Sequence, residues 1–234
     1  MKNFLLGLTI IVLCVSLWWY WPSNETTAVS VLWDVTDSSI VGPDSESIGR
    51  LFNFEDDKWQ GADFRYSTIT DLSLNEMSEA HLQASFSLLS NEFERRSEVA
   101  AFNANVNTIL NAGQLHGEGR KHTSAYKPIA RELMYLSESA AEKKILIVYS
   151  DLMENESDFS LYGKSMLKLI EKNPESVKEA FQKEMPLPSL SGITVYFVYT
   201  PKSEMQDKEF SILSQLYASM LEAKGANVFI VPNL

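Results

Sequence analysis

The chain has one cysteine and three histidines in 234 residues, and both shortages exclude chemistry. Cys14 lies inside an uncharged apolar run, so everything beyond Trp21 has no thiol. That excludes a disulfide framework, cysteine-ligated zinc and a thiol nucleophile in the main body, whose stability must come from core packing. His81, His116 and His122 are scattered without metal-ligand spacing, which reads as loop or surface histidines. Positive charge is also short, with 20 basic residues against 31 acidic and a net charge of −11. Such a surface repels phosphate backbones, so nucleic acid is excluded as a partner. The glycine-rich GQLHGEG at 113–119 follows a helical pattern and lacks a following Lys-Ser/Thr, so it is no phosphate cradle. No Ser–His–Asp arrangement with a nucleophile elbow is present. Internal repeats and low-complexity tracts are absent too.

What the chain does have begins with Phe4 to Trp21, FLLGLTIIVLCVSLWWYW, which carries no charge. As a helix this stretch would cover ~27 Å, close to a bilayer's apolar thickness. Its far end clusters Trp18, Trp19, Tyr20 and Trp21, rings that favour the membrane–water boundary. No small-residue cleavage site follows in WWYWPSN, so the run is expected to be an uncleaved transmembrane anchor. Lys2 precedes the span and no basic residue follows until Arg50. The positive-inside rule then predicts a single-pass protein, N-terminus cytoplasmic, with the main domain periplasmic or extracellular. The expected division is 1–25 as anchor and tether and 26–234 as one domain.

Within that domain the apolar runs 29–33, 144–150, 193–200 and 227–231 read as buried strands. Helical patterns over 127–137, 161–170, 175–185 and 208–224 separate the later ones. A helix is also expected over 90–110, with Ser90 as its cap and Glu94-Arg95-Arg96 as a solvated face. A short helix is expected at 47–54, and an antiparallel hairpin from 64–72 and 80–88. Uniformly apolar strands alternating with helices predict an α/β fold: a doubly wound, mostly parallel sheet, with an antiparallel edge hairpin and helices on both faces.

Ligands of such sheets sit at the carboxyl ends of the strands. The first strand ends in Asp34-Val35-Thr36-Asp37-Ser38, which sets a carboxylate and two hydroxyls at alternate positions. The strand at 144–150 delivers Ser150 and Asp151 to the same edge, and the loop entering the helix at Lys127 carries Thr123 and Ser124. Oxygens on three loops of one sheet edge can converge on a hard cation. Asp34, Thr36, Ser38, Thr123, Ser124 and Asp151 are therefore the candidate metal ligands.

These residues carry a resemblance. DVTDS, KHTSAYKPIA and ILIVYSDLMEN resemble the three segments of a von Willebrand factor A-type (VWA) domain with a metal-ion-dependent adhesion site. That family's pattern is DxSxS after the first strand, a Thr in a middle loop and an Asp after the fourth strand. Here Thr36 replaces the middle Ser, Thr123 or Ser124 fills the middle loop, and Leu152 stands where a small residue is usual. The resemblance implies a Rossmann-like fold and a protein-binding module that is no enzyme. It also implies Mg²⁺ or Mn²⁺ held by an incomplete oxygen shell, which an acidic side chain of a partner protein completes. A VWA-like scaffold with no metal bound is one alternative. Another is a haloacid dehalogenase-like phosphohydrolase, with Asp34 as nucleophile, Lys127 neutralising the phosphate and Asp151 with Asp158 holding magnesium. Thr36 then stands where that chemistry needs a second carboxylate as general acid, and a hydroxyl is a poor proton donor at neutral pH. An EF-hand loop starting at Asp34 fails, with Ser39 at its glycine position and Ser45 at its glutamate position.

Overall fold

The computed structural model describes residues 25–36, 40–70, 77–86, 90–113, 124–154, 161 and 164–234. The apolar run at 4–21, Ser38, Thr123 and Asp158 lie outside the described residues. No helix among the described residues is long and apolar enough to cross a membrane.

The protein is α/β. Its strands are β1 (Thr26–Asp34), β2 (Gly61–Ile69), β3 (Met77–Leu82), β4 (Lys143–Tyr149), β5 (Ile193–Val198) and β6 (Asn227–Val231). They form one sheet in the order β3-β2-β1-β4-β5-β6. Only β2 and β3 run antiparallel; every other neighbouring pair is parallel. The helices are α1 (Ser45–Leu51), α2 (Glu92–Gly113), α3 (Tyr126–Glu138), α4 (Lys164–Lys172), α5 (Pro174–Glu184) and α6 (Glu204–Glu222).

Thr27 to Leu32 of β1 are buried without a break. Successive strand side chains point to opposite faces, so both faces of this central strand are covered. The helices gather in two groups. Phe52, just past α1, meets Phe102 of α2 edge to face, with ring centres 5.1 Å apart. Tyr126 of α3 stacks on Phe181 of α5 at 4.3 Å, and Tyr217 of α6 lies 5.6 Å from Phe181. A partly buried ion pair, Arg65 Nε to Glu132 Oε2 at 3.0 Å, ties β2 to α3.

Three local expectations change. The hairpin starts earlier than its alternation suggested, at 61–69 and 77–82, because Gly61 to Asp63 pair with Thr26 to Ala28 and so join the strand. The α2 cap is Asn91, whose Oδ1 accepts from Phe93 N at 2.9 Å, and Ser90 lies one residue too early. Arg95 is not on a solvated face: it is 1% exposed. Its guanidinium donates to the carbonyls of Lys58 (2.7 Å), Gln60 (2.6 Å) and Gln83 (2.9 Å). Those carbonyls leave the hairpin ends with no ladder partner, and a five-donor fork satisfies several at once.

Candidate metal centre

Asp34 is the last residue of β1 and is 1% exposed. One carboxylate oxygen accepts from the Thr36 amide at 3.0 Å and from the Thr36 hydroxyl at 2.6 Å. This is an Asx-type turn, in which an aspartate binds its own chain two residues on. The other oxygen accepts from Ser150 Oγ at 2.9 Å. Register explains that bond. Trp33 and Tyr149 are the last paired residues of β1 and β4, so the next residues of each strand emerge side by side. Ser150 Oγ in turn accepts from Leu152 N at 2.9 Å, and Asp151 Oδ1 accepts from Met153 N at 3.0 Å. This tight turn holds Leu152 at φ 62° with its side chain fully buried. A left-handed conformation costs a residue with a Cβ about 1–2 kcal/mol. Burying a leucine returns roughly 1.5–3 kcal/mol, which explains how a large side chain stands there.

The middle loop is held from two sides. Ser124 N donates to Thr70 O at 3.2 Å, at the carboxyl end of β2. Ala125 N and Tyr126 N, at the start of α3, both donate to Glu154 Oε2, at 2.9 and 3.0 Å. Glu154 is 2% exposed and follows β4 by five residues, so it links the Asp151 turn to the Ser124 loop. A carboxylate at a helix N-terminus satisfies amides left without intrahelical partners and complements the helix dipole. Tyr217 OH donates to the same oxygen at 3.5 Å. Burial, reinforced by the Glu154 charge, pushes the Tyr217 hydroxyl well above its ordinary pKa.

Of the six sequence-derived ligands, Asp34, Thr36, Ser124 and Asp151 are described, at the carboxyl ends of β1 and β4 and the entry to α3. Ser38 and Thr123 lie outside the described residues. Sequence reasoning missed Glu154 altogether, and brought Ser150 to the edge without giving it a role. The only signal for Glu154 was an acid shortly after the expected Asp151.

The donor set fits a hard cation. Thr36 and Ser150 spend their hydroxyl hydrogens on Asp34, so each turns oxygen lone pairs, not a hydrogen, away from that carboxylate, and Ser150 uses one of them on the Leu152 amide. Ser124 Oγ is buried and has no hydrogen-bond partner among the described residues. An unsatisfied buried hydroxyl costs about 1–3 kcal/mol, which a cation or its water would relieve. Among the described residues no three His, Cys, Asp or Glu side chains come together. A cation beside Asp34 would meet hydroxyls as well as carboxylate, oxygens that Mg²⁺ accepts with water completing its shell.

Lys127 Nζ lies 2.9 Å from Glu184 Oε1 on α5. His81, exposed on β3, meets Asp63 of β2. No protein-family model matches the chain, and no curated protein matches its sequence.

Proposed function

We propose that residues 26–234 form a VWA-like, doubly wound binding module, held at the outer face of a membrane by the apolar run at 4–21. It engages a partner protein through a divalent cation at the β1–β4 edge. Asp34, Thr36, Ser38, Asp151 and one or both of Thr123 and Ser124 supply the oxygens. The observation that carries this reading is the buried Asp34 carboxylate, held by Thr36 and Ser150 hydroxyls at the junction of two parallel strands. Two hydroxyls and one amide are oriented around this carboxylate, beside turns that carry further oxygens. A bound cation would supply a positive contact point for a partner's carboxylate. The net charge of −11 would otherwise repel an acidic partner, so attraction would depend on the cation.

The phosphohydrolase reading is weaker because Lys127, its phosphate-neutralising cation, is engaged by Glu184. One experiment separates the readings. A ligand at a hundred times its Kd adds about 2.7 kcal/mol to the folded state, so millimolar Mg²⁺ or Mn²⁺ should raise the melting temperature by several degrees. Asp151→Ala should remove that rise at a modest metal-free cost, about 0.5–1.5 kcal/mol for the bond from the Met153 amide. Equal shifts in wild type and variant would place the cation elsewhere, and no shift in either would leave a metal-free scaffold. Hydrolysis of p-nitrophenyl phosphate by the same sample, lost in Asp34→Asn, would replace the binding module with the enzyme.

A further inference from the structure

The two edges of the sheet are built differently. At one edge, β3 exposes Glu79 and His81, both paired with charged residues of β2, and α2 packs beside it. Charged side chains on an edge strand discourage another strand from docking. At the other edge β6 reads Asn-Val-Phe-Ile-Val and carries no charge. Phe229 is 49% exposed and Ile230 45%, on opposite faces of the strand. Phe229 stacks on Tyr196 of β5 at 5.3 Å, so its ring is held in place at the rim.

The backbone of β6 is half used. Val231 O accepts from Tyr199 N, so Val231 faces β5, and by alternation so do Phe229 and Asn227. The amides and carbonyls of Val228 and Ile230 therefore point outward. We propose that β6 is an interface on which a second copy of this chain pairs, antiparallel, about a two-fold axis at Phe229. This proposal is independent of the metal centre. Centring on the middle residue of a five-residue strand gives the fullest overlap: Asn227 opposite the partner's Val231, Val228 opposite the partner's Ile230, and Phe229 opposite the partner's Phe229. Both outward residues then exchange N–H and C=O with the partner strand. The two phenyl rings meet at the non-hydrogen-bonded position, where side chains approach most closely.

Charge favours this occupant and this direction. Two copies at −11 repel over most of their surfaces, and the β6 edge is an uncharged place to meet. Lys224 precedes β6, whereas Asp44 lies against Pro232 to Leu234 at its far end. Antiparallel pairing turns Lys224 of each copy toward the end of β6 where the partner's Asp44 lies, whereas parallel pairing would set Lys224 beside the partner's Lys224. The interface is isologous and closes as a dimer, joining two six-stranded sheets into one.

Cysteine placement tests it, because Cys14 is the only thiol. In the full chain carrying Cys14→Ser, Phe229→Cys should give a disulfide-linked dimer under mild oxidation. Directly opposed residues of an antiparallel pair lie within disulfide reach. Ile230→Cys has similar exposure but faces the partner's Val228, so it should link at least tenfold less. Adding Ile230→Pro to Phe229→Cys removes an outward amide without touching the β5 ladder, and should abolish the link with the circular dichroism spectrum unchanged. If Phe229→Cys itself misfolds, mixing Asn227→Cys with Val231→Cys chains should give the heterodimer instead. Equal linking by Phe229→Cys and Ile230→Cys, no linking by either route, or capture of a different protein at position 229 would each overturn the proposal.

Discussion

Asp34 and Ser124 make opposite predictions although both are buried polar residues. Asp34 accepts three hydrogen bonds, so Asp34→Ala leaves the Thr36 amide, the Thr36 hydroxyl and the Ser150 hydroxyl without that acceptor. The expected cost is about 1–3 kcal/mol in urea unfolding with a chelator present. A loss below about 0.5 kcal/mol would mean that these bonds are not made in solution. Ser124 Oγ has no partner among the described residues, so Ser124→Ala should leave metal-free stability unchanged or slightly higher. The same variant should lose at least part of any stabilisation by Mg²⁺. A clear metal-free loss in Ser124→Ala would show that its hydroxyl is satisfied after all.

Among the elements, α3 depends on one distant side chain, because its first amides end on Glu154. Glu154→Ala should cost about 1–3 kcal/mol in urea unfolding, whereas Glu154→Gln keeps a carbonyl acceptor and should cost clearly less. Equal costs would assign the effect to packing. The strands were legible because the sheet buries both faces and leaves them as apolar runs, and 143–149 and 227–231 fall within a residue of the pattern. The hairpin was less so. Its outer half alternates only partly, and its start is set by pairing of Gly61 to Asp63 with Thr26 to Ala28. Arg95 shows the same limit: nothing local in Glu94-Arg95-Arg96 says that carbonyls from Lys58, Gln60 and Gln83 converge on the middle residue. Asp34 and Asp151 could be placed at the carboxyl edge of the sheet because each closes an apolar run. Glu154 could not, since its role is defined by amides at 125 and 126 that only the tertiary fold brings to it.

At the scale of the whole molecule, the tyrosines set an alkaline limit. Burial pushes Tyr149 up to about 12, and raises Tyr66, Tyr126 and Tyr217 as well. A hydroxyl whose folded pKa lies above its unfolded value near ~10 holds its proton more tightly when folded. Its contribution is fully present below pH ~10 and is lost as the pH climbs through the folded value. Tyrosine absorbance near ~295 nm should therefore show an early phase from exposed rings and a late phase that coincides with loss of the circular dichroism signal. Smooth titration of all nine tyrosines before unfolding would contradict the burial of these four.

The position of β1 also has a consequence for how the chain acquires its fold. Among the described residues, the first strand in chain order lies inside the sheet, with β2 on one side and β4 on the other. Asp34 and Ser150, which close that second side, are 116 residues apart in the chain. A growing chain can thus pair β1 with β2 early, but leaves the other edge of this apolar strand open until residues 143–149 have been made. Closing so long a loop is entropically slow, and an open edge recruits other strands in the meantime. Refolding should therefore be limited by the docking of β4 on β1, and chaperones that bind extended apolar segments should find Val29 to Leu32 before the ribosome has released the chain.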